Sequence, residues 1–338
     1  MSLPTRKIGN TQVAALGFGH MGLSMGYGAV GTDEERLQFL DGVFERGCTN
    51  WDTADSYGRG DSETLIGKWF ARTGKRKDIF LATKFGLADP KRFPNGEPTY
   101  AKEECNASLA RLQTDYVDLY YLHRADPKVP IEKTVAAMAE LVKEGKVKYL
   151  GLSEVSAATL RRAHAVHPIA ALQVEYSAIE LSIESDKVDL LRTARELGVT
   201  VVAYSPLGRG LLTGQYKSAA EFPEGDFRRM IPRFSEANFP HILALADGLA
   251  KIATVLSATA GQVALAWLLA QGDNIIPIPG TKKLKYLDEN IGALKLTLTE
   301  SEVAAVRVLA DKAMQAVVGE RLPPAYNALT YGDTPELE

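Results

Sequence analysis

The sequence predicts an α/β fold: one closed (β/α)8 barrel of the TIM type, with an N-terminal β-hairpin before it and an extra C-terminal helix after it. Three observations carry this reading. Eight short apolar runs alternate with amphipathic stretches along nearly all of the 338 residues. Their starts lie mostly about 25–40 residues apart, room for a strand, a crossover helix and two loops. No G-x-G-x-x-G follows the first run. GFGHMG (17–22) has a different spacing and opens no helix directly, which speaks against a doubly wound open sheet. No linker, low-complexity tract or short repeat divides the chain, so residues 1–338 read as a single domain.

In order, residues 6–8 and 13–15 flank GNT as a short hairpin. ALGFG (15–19) is the first buried strand. A helix follows over 33–46, with Leu37, Leu40, Val43 and Phe44 on one face. The remaining strands are TNWDT (49–53), IFLAT (79–83), YVDLYYL (116–122), VKYLGL (147–152), ALQVE (171–175), VTVVAYS (199–205) and NIIPIPG (274–280). Over 131–144, Ile131, Val135, Met138 and Val142 recur at helical spacing. Further helices are predicted over 156–166, 184–197, 241–257 and 284–294. Two departures from even spacing stand out. Residues 206–240 form a long Gly/Pro-rich, Arg-containing connection, and loops of that length in compact domains are usually functional or mobile. Residues 300–313 read as the extra helix, followed by a Pro-rich tail over 314–338.

Composition narrows the function. Net charge is −3, with 39 basic and 42 acidic side chains interspersed, so no basic stripe awaits nucleic acid. No apolar run approaches the ~20 residues that span a bilayer, and MSLPTRKIGNTQ lacks a signal peptide's apolar core. The two cysteines, Cys48 and Cys105, are too few for a disulfide framework or a Cys-rich metal site. These features point to a soluble protein of a reducing, cytoplasmic compartment, no metal site is expected, and metabolic enzymes in general fit these bounds. Nothing in the sequence sets an oligomeric state.

In a barrel, chemistry gathers where strands end at the C-terminal face. Those ends carry Asp52, Lys84, His123, Ser153, Glu154, Gln173, Tyr204 and Ser205, with Tyr57 in the loop after Asp52. Singly, each reads as an ordinary solvated strand end, but a barrel would bring them to one mouth. NWDTADSYGRG (50–60) poses a puzzle, because a phenol beside Asp52 and Asp55 should be a worse acid than in water.

Several segments together resemble the aldo-keto reductases, nearly end to end: LGFGHMGLS (16–24), DTADSYG (52–58), LATKFG (81–86), DLYYLHR (118–124), GLSE (151–154), ALQVEYS (171–177), YSPLGRGLLTG (204–214) and PIPGTKKLKYLDEN (277–290). GHMGLS, GLSE, RRAHAVHP and EGDFRRMIPRF are most similar to the branch with yeast pyridoxal reductase and plant perakine reductase. The resemblance implies a catalytic tetrad of Asp52, Tyr57, Lys84 and His123. Its chemistry follows from the residue types. Carbonyl reduction leaves negative charge on oxygen, and Tyr57 would donate the proton. A buried Lys84 ammonium would lower the Tyr57 pKa toward neutrality, Asp52 would keep Lys84 charged, and neutral His123 would orient the substrate oxygen. Asp55 is a rival to Asp52, here read as a loop residue. His20 reads as a loop histidine contacting backbone, and His164 and His167 as solvent-facing.

The same resemblance implies NADPH as cofactor and a small carbonyl compound, an aldehyde such as pyridoxal, as substrate. Gly19, Met21 and Asp52 would line the cofactor cleft. Ser153, Glu154 and Gln173 would hold the carboxamide, although many relatives have Asn at the position of Glu154. Tyr204 would stack on the nicotinamide. Ser205, Pro206, Leu207, Gly208 and Gly210 would wrap the pyrophosphate, glycine backbone approaching phosphate closely, and Arg209 with the basic loop 228–233 would close over the cofactor. Gly280 and Thr281 would begin a helix whose N-terminus favours an anion. Lys282 would meet the 2′-phosphate, with Lys283 as a backup, and Glu289 and Asn290 the adenine. Tyr286 stands where another branch has Arg. Two other readings exist. Potassium-channel β subunits share the fold and a similar tetrad, but the chain shows no long N-terminal inactivating segment. A barrel aldolase or isomerase would use Lys84 as a Schiff-base nucleophile, for which the Tyr and Asp positions are unsuited.

Overall fold

A computed structural model describes residues 3–89 and 91–338. It begins with a hairpin, β1 (Thr5–Ile8) and β2 (Thr11–Ala14), in which Ile8 pairs with Thr11 across Gly9 and Asn10. The barrel strands are β3 (Phe18–Gly19), β4 (Asn50–Asp52), β5 (Phe80–Phe85), β6 (Val117–Leu122), β7 (Val147–Ser153), β8 (Ile169–Glu175), β9 (Thr200–Tyr204) and β10 (Ile275–Pro277). All neighbours pair in parallel, in sequence order. Two backbone bonds close the ring: Gly17 N–H donates to Pro277 O at 2.9 Å and Gly19 N–H to Pro279 O at 3.3 Å. ALGFG therefore forms a strand with regular pairing only over its last two residues.

The helices are α1 (Met21–Ser24), α2 (Asp33–Glu45), α3 (Asp61–Thr73), α4 (Pro98–Leu112), α5 (Ile131–Lys143), α6 (Ala157–Val166), α7 (Leu190–Glu196), α8 (Phe239–Val255), α9 (Ala260–Leu269), α10 (Leu284–Gly292), α11 (Glu300–Ala316) and α12 (Pro324–Asn327). Their starts are written in the sequence. Thr32 with Glu35, Thr259 with Gln262 and Thr299 with Glu302 form reciprocal caps that satisfy otherwise orphaned N–H groups. At the crossing of α3 and α4, a Cβ on Gly67 would lie 2.2 Å from the Arg111 carbonyl oxygen, so only glycine permits this approach.

Three expectations change. The helix read over 184–197 is a 3-10 turn at Ser182–Glu184 followed by the shorter α7, because Asp189 takes a positive φ of 53° and breaks it. The connection from β9 to β10 holds two helices, α8 and α9, not one. The tail read from 314 starts later: α11 continues to Ala316, and the remaining chain crosses back over the barrel.

Strand alternation separates two cores. Inside the ring, Phe80, Ala82, Leu119, Tyr121, Ala171, Val202, Ile276 and Ile278 pack with Ile8 and Val13 of the hairpin, which caps the N-terminal end. The opposite strand faces, with Leu81, Phe85, Leu122, Leu150 and Leu172 among them, pack beneath the helices. Gly151 leaves room for the interior Tyr121 ring, which a Cβ there would meet at 2.5 Å.

Candidate active site

The alternation that fills the interior also delivers the site. Phe80 and Ala82 point inward, so the next residue of that parity, Lys84, does too. Leu119 and Tyr121 lead likewise to His123, Ala171 to Gln173, and Val202 to Tyr204. The layers are apolar through the barrel and turn polar at the C-terminal mouth.

Lys84 is fully buried and makes three contacts. Its Nζ donates to Asp52 Oδ1 at 2.5 Å, to Thr53 O at 2.8 Å and to Tyr57 Oη at 3.2 Å. The second Asp52 oxygen accepts from Gln173 Nε2 at 2.7 Å. The Tyr57 ring stands edge-on to His123, centroids 5.9 Å apart at 81°. Asp52, Tyr57, Lys84 and His123 are thus brought together. Burial disfavours the Lys84 ammonium, but Asp52, with Tyr57, outweighs it, and its pKa stands above the ordinary value. Lysine in that state is a cation and not a Schiff-base nucleophile. Burial, then Lys84 and Arg124, push His123 well below its usual pKa, so the imidazole is neutral at physiological pH.

The expectation for Tyr57 needs correcting. Lys84 does pull its pKa down, but burial raises it more, and the net shift is upward. The phenol is held protonated, the form that donates. Asp55 lies in the turn after β4, as read, but it is buried there. The residue is 1% exposed, and neither carboxyl oxygen has a hydrogen-bond partner among the described residues. Burial first, then Glu63 and Glu104, raise its pKa to about 8. Its side chain makes none of the Lys84 contacts. His20 behaves as expected of a backbone-contacting histidine: Nδ1 lies 3.2 Å from Phe18 O and 3.3 Å from Asp52 O. His164 and His167 are half-buried at the end of α6, His164 Nδ1 accepting from Ile169 N–H at 3.2 Å.

Around the mouth lie the residues expected to face a cofactor. Gly19 and Gly280 touch across the barrel closure: a Cβ on Gly280 would sit 2.7 Å from Gly19 O. Met21 opens α1 beside them and is half-buried. After β9, Ser205, Gly208, Arg209 and Gly210 all have positive φ, curling the chain into a tight turn with Pro206 and Leu207 between them. Lys282 Nζ donates to Tyr27 O at 2.5 Å and Ala29 O at 3.0 Å, and makes no ion pair among the described residues. The helix expected from Gly280 and Thr281 begins later, at Leu284. The Thr281 hydroxyl accepts from Lys283 N–H at 3.1 Å and holds this approach in a turn. Lys283 Nζ lies over the Tyr286 ring, 5.7 Å from its centroid. Glu289 accepts from Thr259 Oγ1 at 2.7 Å, and Asn290 is buried.

Two arginines escaped sequence reasoning. Arg124 donates to His123 O at 2.7 Å and Ser153 Oγ at 3.1 Å, coupling two strand ends. Its position after His123 was the available signal. Arg321, from the tail, pairs with the buried carboxylates of Glu154 and Glu175. Burial would raise the Glu154 pKa, but Arg321 foremost, with Arg124 and Tyr204, brings it to about 2. The Glu154 carboxylate also accepts from Tyr204 Oη at 2.8 Å and from Glu175 N–H at 3.1 Å.

Residues 15–311 match the model of the Aldo/keto reductase family. The chain is 60% identical to aldo-keto reductase str7 of Strobilurus tenacellus, covering 100% of this chain and 99% of that protein. It is 50% identical to the aldo-keto reductase yakc of Schizosaccharomyces pombe, whose name carries NADP(+), again over 100% and 99%. A glycerol dehydrogenase from Gluconobacter oxydans superposes with a TM-score of 0.82 at 29% identity, over 96% of this chain and 99% of that one. An aldo-keto reductase from Klebsiella pneumoniae in complex with NADPH gives 0.70 at 27% identity, over 92% and 96%. The sequence match and the barrel with its inward-facing polar mouth lead to one conclusion: the chain belongs to the aldo/keto reductase family.

Proposed function

We propose that the protein is an NADPH-dependent reductase of small aldehydes, with aromatic aldehydes and pyridoxal as candidate substrates and Tyr57 as the general acid. The contact that carries this reading is buried Lys84 Nζ, 3.2 Å from Tyr57 Oη and 2.5 Å from Asp52 Oδ1, with the Tyr57 ring edge-on to His123. The residues present suit the cofactor. Lys282 offers a cation without a carboxylate partner, which favours a nucleotide bearing a 2′-phosphate. The curled backbone of 205–210 would wrap the pyrophosphate, and Tyr204 would back the nicotinamide. Gln173 has its amide N–H on Asp52, leaving its oxygen to accept from a carboxamide, while Ser153 offers a hydroxyl. Glu154 is engaged by Arg321 and Tyr204 and would act on the cofactor through them.

NADPH supplies the hydride when bound. Tyr57 then gives its proton to the developing alkoxide, and the Lys84 ammonium stabilises the phenolate left behind. Asp52 keeps Lys84 charged and fixed. Neutral His123 donates a hydrogen bond that orients the carbonyl oxygen. Two free, buried cysteines suit a reducing cytosol.

Tyr57→Phe removes only the acid. NADPH oxidation with an aldehyde panel that includes pyridoxal should fall by roughly 10²–10⁴-fold, with NADPH binding retained. Undiminished turnover would reject Tyr57 as the donor. No turnover by the native protein with any aldehyde would reject the substrate class.

A further inference from the structure

After α11 the chain runs back across the mouth between two anchors. At one, Asn238 Nδ2 donates to Val318 O at 2.7 Å and Val318 N–H donates to Asn238 Oδ1 at 3.2 Å. At the other, Gly332 N–H donates to Glu154 O at 2.8 Å and Ser156 N–H to Gly332 O at 3.0 Å, joining the tail to the end of β7. Between them Arg321 turns inward, its side chain 5% exposed. Arg321 Nη2 pairs with Glu154 Oε2, and Nη1 lies 3.0 Å from Glu154 Oε1, 3.3 Å from Glu175 Oε2 and 3.2 Å from Tyr204 Oη. The Tyr331 ring covers the guanidinium, 4.7 Å from its centroid.

Charge explains why an arginine is needed there. Glu154 and Glu175 are both buried, and Arg209 approaches Glu175 at 3.7 Å. Two guanidinium groups and two carboxylates sum to zero. Without Arg321 an unpaired carboxylate would remain out of water. Geometry explains what else it does. The Tyr204 hydroxyl donates to Glu154 and accepts from Arg321, so both its hydrogen-bonding roles are filled and the ring plane is set. A forked guanidinium can reach two carboxylates and a hydroxyl at once, and a lysine ammonium is less suited to that geometry.

We propose that Arg321 is a positioning residue of the cofactor site: by clamping the Tyr204 hydroxyl against Glu154 it fixes the ring that backs the nicotinamide, and so makes the C-terminal strap part of that site. The inference rests on the reading of Tyr204 as the nicotinamide platform. Linkage gives it a second face. If docking of the strap tightens NADPH binding, NADPH must tighten docking of the strap to the same degree.

Two experiments test this. The first measures NADPH affinity by quenching of protein fluorescence. Tyr204→Ala should weaken binding at least tenfold, and unchanged affinity would remove the platform reading. Given that loss, Tyr204→Phe and Arg321→Lys should each weaken binding by about tenfold, the scale of one charge-assisted hydrogen bond. The double variant should be no weaker than the worse single, because both changes break the same contact. Native affinity in Arg321→Lys, or additive losses, would overturn the inference while leaving the platform intact. The second uses the unaltered protein and so is independent of how the variants fold. Saturating NADPH should slow amide hydrogen exchange in peptides covering 318–334, and unchanged exchange there would equally overturn it.

Discussion

Lys84 and Asp55 show two outcomes for an ionisable group taken out of water. Lys84 is matched by Asp52 within 2.5 Å and keeps its charge; Asp55, whose carboxyl oxygens have no hydrogen-bond partner among the described residues, keeps its proton instead. The second outcome makes stability depend on pH. The Asp55 pKa is about 8 in the folded protein, against 3.8 ordinarily. Between those values the unfolded chain releases a proton that the folded one retains. Stability from this group is therefore lost as pH rises, by about 1.4 kcal/mol per unit, and the loss levels off above the folded pKa. Asp55→Asn removes the titration. In urea unfolding, the variant should gain on the native protein by about 1.4 kcal/mol per unit between pH 5 and 7. A gap that stays constant with pH would place the folded pKa near its ordinary value. Little of this was legible in NWDTADSYGRG. Asp52, Asp55 and Tyr57 look alike there, and only the packing of α3 and α4 around the turn leaves Asp55 dry. The net direction of the Tyr57 shift was hidden for the same reason: the charges near it can be read from strand order, but its burial depends on the loops.

Strands and their loops divide differently. The strand ends were legible because a period of two is a property of the chain itself, so an apolar alternation ending in Lys84, His123 or Gln173 forecasts where those side chains go. Caps such as Thr299 with Glu302 were equally open to reading. The C-terminal segment was not. Arg321 lies 167 positions from Glu154, in a stretch with no periodicity, and its role exists only once the strap crosses the mouth. The loop from β10 to α10 falls between these cases: its lysines were visible, but the start of α10 was placed too early. If Lys282, which makes no ion pair among the described residues, meets the 2′-phosphate, Lys282→Ala should raise the NADPH KM about tenfold while changing that for NADH less than twofold, since only the former carries the phosphate. Equal changes for the two cofactors would remove the 2′-phosphate role.

For the molecule as a whole, closure rests on glycine. The ring joins through Gly17 and Gly19 on one side and Pro277 and Pro279 on the other, and Gly280 packs its Cα against the Gly19 carbonyl. Gly280→Ala must push these backbones apart. It should lower unfolding stability by about 1–3 kcal/mol and, on the proposed placement of the cofactor along the same edge, weaken NADPH binding as well. Loss of stability with unchanged affinity would separate the two. At the far end of the barrel, β1 and β2 press Ile8 and Val13 into the lowest interior layer. The lumen has a floor. On the proposed function, aldehyde, alcohol and the replacement proton for Tyr57 would share the open end with the nucleotide, and whatever leaves last would govern how soon the room can be entered again.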